Sequence, residues 1–403
     1  MTVPLDVTLV GAGMIAHDQI LPSLYHLQRL GVVGELQVCA RTTASLQALA
    51  NDELLGRAFP DQGFRAWPGA TAAETAAADA YIGAIDRMRP RQCVVIATPD
   101  HLHHDMVQAA LKRDQHVICV KPLVLTATEA EALARLARER GLFVGVEYHK
   151  RFDRRALVAR REYRAGAFGR FVMGDARMIE PYAYRRSGFQ TWFTCAHTDP
   201  FVYVGCHYTD LTTFITGLRP TSASVAGVKG TFPNGNEGYL WSHARIGFEG
   251  GAYLSVVNGL GYPDAGAGSN DQGLTLFCEG DDGGALLSHD DQSRGVAHGQ
   301  LTGKRYRHVN PDYFQYVPWS GAGLRPVGYG YDSIAALVDA VIGIERRADA
   351  DDVEVRRAAL AAIDDHGLLA TPANSSYNER LHEAARASIR NHGQTVAVAY
   401  PDE

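Results

Sequence analysis

Lys121 is the side chain best placed by its surroundings to move a proton. It ends the apolar run His116-Val-Ile-Cys-Val120 and is followed at once by Pro122. An earlier apolar run, Val7-Thr-Leu-Val10, delivers Gly11-Ala-Gly-Met-Ile-Ala16. In that spelling Gly11 permits a tight turn, Gly13 lets backbone approach a pyrophosphate, and Ala16 keeps the next helix close to its strand. The helix start, at Met14 and Ile15, offers unpaired N–H groups and a positive dipole end to phosphates. Ligands of an open parallel sheet sit at the carboxyl ends of its strands. The lysine and the glycine turn therefore read as parts of one edge. The chemistry they suit is oxidation of a secondary alcohol, in which a nicotinamide takes hydride while a base takes the hydroxyl proton. A lysine can be that base when burial and a neighbouring cation favour its neutral form.

Other side chains extend this set. His207 is a second proton donor or acceptor, since imidazole titrates near neutral pH. Tyr203 lies four residues before it, on the same face if the segment is helical, and can supply a phenol hydroxyl. Asp210, three residues after His207, can orient it or serve the helix structurally. At the second strand, an acid about 20 residues beyond the last glycine normally binds the adenosine ribose. Here that edge reads Cys39-Ala40-Arg41, with no carboxylate. Arg41 can meet a 2′-phosphate or stack on adenine, which leans the NAD(P)(H) choice toward NADP. Substrate contacts are expected from His149, Lys150 and Arg151, and from the aromatic and cationic stretch Tyr182 to Arg186 through Trp192 and His197. His101, His103 and His104 are not completed by carboxylate or cysteine spacing into a metal site, so no metal is expected.

The elements that must hold these residues come in two textures. To about residue 146, strand-like runs (Val7–Val10, Leu36–Ala40, Cys93–Ala97, His116–Val120, Phe143–Val146) alternate with helical segments, the pattern of a Rossmann doubly wound parallel sheet. After a basic helix from Asp153 to Arg164, strand-like runs follow one another: Arg170–Ile179, Ser222–Lys229, His243–Phe248, Ala252–Leu260, Leu274–Glu279 and Ala285–Ser288. That is the pattern of an antiparallel sheet, and helices return near Ile334–Val341 and Asn374–Ile389. The expected domains are 1–148, binding NAD(P), and 149–403, an α+β domain for substrate and oligomer contacts.

Composition bounds the function. The chain has 403 residues and a formal net charge of −6, which gives no basic footprint for nucleic acid. No apolar run approaches the ~20 residues of a membrane span. The start, Met1-Thr-Val-Pro-Leu-Asp6, lacks the charged and apolar regions of a signal peptide. The six cysteines are scattered, never C-x-x-C, which points to a reducing cytoplasm.

The motifs Gly11–Ala16, Ala97-Thr98-Pro99-Asp100 with His103, Lys121-Pro122, Gly205-Cys-His207-Tyr-Thr-Asp210 and Tyr331-Asp-Ser333 resemble the Gfo/Idh/MocA family of nicotinamide-dependent oxidoreductases. The resemblance covers nearly the whole chain. It implies catalytic Lys121 and His207, and a cofactor lined by Gly11, Gly13, Met14, Ile15, Arg41, Thr98, Pro99, His103 and Lys121. It also implies that the sheet of the second domain is open-faced and mostly antiparallel. A carbohydrate or polyol substrate, and a homodimer or homotetramer through the open sheet face, are implied as well. Three departures stand out. Val120 replaces the family's glutamate before lysine-proline, Tyr203 replaces an aspartate, and Thr198–Val202 replaces a glycine-rich run. Two other functions fit the same residues: redox-neutral NAD-dependent glycoside cleavage, and a non-catalytic cofactor-sensing regulator.

Overall fold

A computed structural model describes residues 4–69, 79–266, 270–280, 283–290, 312–347 and 349–401. The chain forms two compact units, Met1–Val124 with Thr128–His149 and Phe314–Asn374, and Leu125–Ala127 with Lys150–Tyr313 and Ser375–Glu403. The first unit passes to the second between His149 and Lys150, where the sequence reading drew a single boundary after residue 148. The second domain is not continuous, however, because Phe314–Asn374 returns to the first unit. The apolar face that draws the segment back is the one foreseen in its helix Tyr329–Glu345, where Ile334, Leu337, Val338 and Val341 are buried.

The first unit is built on six parallel strands: β1 (Leu5–Val10), β2 (Val33–Cys39), β3 (Arg65–Trp67), β4 (Cys93–Ile96), β5 (His116–Val120) and β6 (Val144–Glu147), in the order β3-β2-β1-β4-β5-β6. β4 and β5 are buried along their whole length, as strands covered on both faces must be. Their uninterrupted apolar runs made them easy to read; β3, only three residues long, carries no periodic signal and was not foreseen. A short hairpin, Gln315–Pro318 with Leu324–Val327, also belongs to this unit. The Arg29 guanidinium fastens it, lying 4.9 Å from the Phe59 ring centroid and 4.3 Å from that of Trp319. Arg29 also donates to the carbonyls of Ala322 and Leu324.

The second unit holds β7 (Arg170–Pro181), β8 (Pro220–Thr231), β9 (Glu237–Phe248), β10 (Tyr253–Tyr262), β11 (Asp271–Gly280) and β12 (Gly283–Asp290), in the order β12-β11-β7-β10-β9-β8. The short strand Val396–Ala397 extends the edge beyond β8. All neighbours are antiparallel except β7 and β10. One face is covered by helices, and alternate residues point the other way. On that open face Leu286, Phe277, Met173 and Tyr253 stand in register across four strands, 57%, 50%, 50% and 39% exposed.

Candidate functional site

The carboxyl edge of the parallel sheet collects most of the expected cofactor residues. β1 lies beside β4, and β4 beside β5, in register at Val10, Ile96 and Cys119. The turns that follow are Gly11, Thr98-Pro99 and Lys121-Pro122. Gly11 has φ +118°, and a Cβ there would meet the Ala97 carbonyl oxygen at 2.1 Å. Its N–H donates to Cys39 O at 2.8 Å, so the turn is clamped between β2 and β4. Around Gly13 a Cβ would find no atom within 4 Å. This pairing fits a dinucleotide: one glycine is needed for the turn, while the other leaves open space at the start of a helix. Met14 is exposed and Ile15 half-buried at that start. The helix opens as a π-helical turn, Ala16–Ile20, before continuing as Leu21–Arg29. Such turns occur frequently at functional sites.

His103 is completely buried, with Nδ1 2.8 Å from Pro122 O and Nε2 2.8 Å from Thr98 O. It brackets the turns after β4 and β5 and so acts on this edge through their backbone. Asp100 is buried at the start of the turn that leads into the helix His103–Lys112. It lies within a 3₁₀ turn, and Leu102 occupies the cap position without a side-chain bond. Lys121 is half-buried, and Arg41 is exposed just beyond the end of β2. Among the described residues no group of three metal-ligating side chains occurs.

Glu147, which sequence reasoning passed over, sits at the end of β6 and is only 2% exposed. Its Oε1 accepts from Gln19 Nε2 at 2.9 Å and from Ser333 Oγ at 2.5 Å. Its Oε2 lies 3.2 Å from His149 Nδ1. The His149 ring stacks on Tyr329, with centroids 5.6 Å apart and planes at 21°. The available signal was a carboxylate ending an apolar strand at the ligand edge.

The second unit holds the other candidates. Asp199 begins a π-helical turn, Phe201–Gly205, by accepting from the N–H groups of Phe201 and Val202 at 3.0 and 3.1 Å. Burial pushes its carboxyl above the usual range, against the pull of Arg386 and those N–H groups. Tyr203 lies in this turn, and His207, 3% exposed, lies in the first turn of the helix Cys206–Thr216. Every residue of that helix is buried. Thr209, Thr212 and Thr216 return their hydroxyls to carbonyls four residues back, which hides their polarity. Asp210 is structural: it holds Arg151 through bonds of 2.8 and 2.6 Å and accepts from Tyr377 and Asn378.

Tyr203 packs edge-on against Phe189, Trp192 and Phe193, with centroids 5.2, 5.7 and 5.6 Å apart. Tyr184 and Trp241 join the same cluster. The Trp241 indole lies over β10, where a Cβ at either Gly259 or Gly261 would approach it to 2.1 Å. Trp192 is thus a wall residue of an aromatic cluster. His197 places Nδ1 3.2 Å from Thr194 Oγ1 and 3.3 Å from Trp192 O, which ties its ring to the local loop. Lys150 is 2% exposed, donating to Gln272 Oε1 at 2.8 Å, with the Tyr208 ring 5.0 Å away.

Comparison with known proteins follows this geometry. Residues 5–148 match the model of GFO_IDH_MocA, the oxidoreductase family with an NAD-binding Rossmann fold. The chain is 28% identical over 145 residues to the rhizopine catabolism protein MocA of Rhizobium meliloti, covering 36% of this chain and 44% of that protein. It is 27% identical over 228 residues to D-glucoside 3-dehydrogenase of Escherichia coli, covering 55% and 56%. The chain thus spans about half the length of these curated relatives. Among solved structures, GenD2 from gentamicin A biosynthesis, in complex with NAD, aligns with a TM-score of 0.68 at 19% identity over 99% of this chain and 98% of that one. Scyllo-inositol dehydrogenase from Lactobacillus casei, with bound NAD(H) and scyllo-inositol, aligns at 0.62 and 15% over 98% and 100%. At such identities the structural likeness speaks for the fold. Residues 5–148 are thus similar to the NAD-binding Rossmann domain of the Gfo/Idh/MocA oxidoreductases.

Proposed function

We propose that the protein is an NAD(P)-dependent dehydrogenase acting on a secondary alcohol of a sugar, inositol or glycoside. The observation that carries this reading is the position of Lys121. It leaves β5 at the carboxyl edge, one strand removed from the glycine turn after β1. The nicotinamide, when bound, supplies a hydride acceptor. Lys121 takes the hydroxyl proton in oxidation and returns it in reduction. His207 serves as the second proton-handling group, and the Tyr203 hydroxyl assists it, at the position where the family resemblance calls for an aspartate. Thr98, Pro99 and the Gly11–Ile15 turn hold the cofactor, while His149, Lys150, Trp192 and His197 belong to the substrate side. The half-buried aromatic rings of Trp192, Tyr184 and Trp241 suit the C–H face of a pyranose or cyclitol ring. Arg41, in place of an acid, favours NADP. The row Leu286, Phe277, Met173 and Tyr253 is the surface through which two copies pair, since a contiguous apolar patch marks an interaction site.

The test is a panel of sugars, inositols and glycosides with each cofactor, followed at the reduced-nicotinamide absorbance together with product analysis. The expected result is stoichiometric reduced cofactor from one class of alcohol. Replacing Lys121 with Ala should lower turnover about 10²–10⁴-fold, the contribution of general acid–base catalysis, while sparing cofactor affinity. Full turnover in that variant under chemistry-limited conditions removes Lys121 from the reaction. Product without net reduced cofactor would replace oxidation by redox-neutral cleavage.

A further inference from the structure

Pro22 lies close enough to the glycine turn to shape the helix that starts there. It has no N–H to give Asp18 O, and its ring crowds that carbonyl, so it fits the first turn of a helix but not the middle of a continuing one. The helix accordingly widens before it. Leu21 N–H reaches back five residues to Ala16 O, closing the π-helical turn Ala16–Ile20 ahead of Leu21–Arg29. Each α-helical residue turns the side-chain direction by about 100°, so a widened turn redirects what it carries. Gln19 is thereby completely buried. Its amide nitrogen has two hydrogens to give, and they go to Glu147 Oε1 at 2.9 Å and Gly330 O at 3.0 Å. Its backbone carbonyl accepts from the Ser23 hydroxyl at 2.7 Å. Ser333 Oγ donates to the same two acceptors, Glu147 Oε1 and Gly330 O, at 2.5 and 3.1 Å. The end of β6, the helix after the glycine turn and the start of the helix Tyr329–Glu345 therefore meet at one carboxyl oxygen, all within the first unit.

We propose that Glu147 is a positioning residue for the dinucleotide: through Gln19 it sets the direction of the helix whose first N–H groups receive the pyrophosphate. Those N–H groups have no partner within their helix, and they aim where its axis aims. Met14 and Ile15 begin the helix one turn before Gln19, and His17 N–H is bonded to Gly13 O at 3.0 Å. The glycine turn and the π-helical turn therefore move as one piece. Glu147 is a fixed point for that piece, since β6 is laddered to β5 through Glu147 itself, opposite Val120. Binding groups need placing to within about 0.5 Å, and a buried amide bonded at both hydrogens supplies that constraint. The open space lies around Gly13, and Glu147 acts on it through Gln19. The inference rests on the nicotinamide-cofactor reading above and is independent of which alcohol is oxidised.

The experiment is a fluorescence titration of the full chain with NADH and with NADPH, beside thermal unfolding; no alcohol is needed, so the choice of substrate does not enter. Gln19→Leu keeps the bulk and removes both donors. It should bind the nucleotide about tenfold more weakly, the scale of one hydrogen bond. Gln19→Glu sets a second carboxyl group against Glu147 and should lose at least as much. Joining it to Glu147→Gln moves the amide to the opposite partner, and this exchanged pair should regain affinity. A wild-type Kd in Gln19→Leu overturns the proposal. So does an exchanged pair that regains the thermal midpoint but not the affinity, because the contact then serves the fold alone. A wild type that binds neither nucleotide removes the cofactor reading and this inference with it. Should Gln19→Leu and Gln19→Glu both fail to fold, Gln19→Asn, polar but one methylene shorter, replaces them: a weakened Kd supports the proposal and a wild-type Kd overturns it.

Discussion

Replacing Gly11 and Gly13 separately with alanine tests whether one glycine serves the fold and the other the ligand. At Gly11 the new Cβ would lie 2.1 Å from Ala97 O and 2.7 Å from Ala97 C, on a backbone with φ +118°. That carbonyl cannot move aside alone, because Ala97 N donates to Val10 O at 2.8 Å within the same clamp. Backbone strain of about 1–3 kcal/mol and overpacking of a further 1–3 kcal/mol should together lower the thermal midpoint by roughly 5 °C or more. Gly13→Ala meets nothing within 4 Å and restricts the unfolded chain, so its midpoint should stay level or rise by the equivalent of about 0.4–1 kcal/mol. The same methyl would occupy the space left for a phosphate. Loss of one charge-assisted hydrogen bond, about 1.5–3 kcal/mol, corresponds to a roughly 10- to 100-fold weaker Kd for NADH or NADPH. Thermal unfolding and fluorescence titration of both variants give the answer. Wild-type cofactor affinity in Gly13→Ala refutes the phosphate assignment. Equal thermal losses in the two variants refute the division of labour.

Four further outcomes are expected. Tyr203→Phe should unfold like the parent, since the packed ring is kept, but turn over more slowly; Tyr203→Ala should lose stability as well. An unimpaired Phe variant leaves Tyr203 as a packing residue. Arg41→Ala should weaken NADPH binding more than NADH binding, because charge-assisted bonds form only to a 2′-phosphate; equal losses would point to adenine stacking. Burial, with Arg29 and Arg325 nearby, pushes the His26 imidazole down from 6.5 to about 4. Between those values the unfolded chain binds the extra proton, so stability falls as pH drops through the window. His26→Asn should flatten the wild-type thermal midpoint between pH 4 and 6.5, and an unchanged slope would exclude His26. Met173→Lys with Phe277→Lys should convert an oligomer to monomer by light scattering, without loss of the fold; an unchanged mass places the interface elsewhere.

Much of the first unit was legible because its signals are local. β4 and β5 are uninterrupted apolar runs ending in turns, and the glycine spelling after β1 states its own backbone requirement. The succession of strand-like runs after residue 170 likewise announced an antiparallel sheet. The edge of the parallel sheet at three-residue β3, and the hairpin Gln315–Pro318 with Leu324–Val327, left no comparable trace. Elements that short exist only because neighbours supply their hydrogen bonds and packing.

The sequence by itself determined which residue types stand at the carboxyl edge: the glycine turn, Thr98-Pro99 and Lys121. Each follows its strand within one or two residues, so strand position places it. Tertiary structure decided what depends on distant chain segments. It brought residues 314–374 back to the first unit, set Glu147 beside Val120, and drew Gln19 and Ser333 to one carboxylate across more than a hundred residues. It also gave Asp210 to Arg151 and set Tyr203 among aromatic rings. Hydrogen bonds and ring contacts of that reach are settled by packing, and no local spacing encodes them.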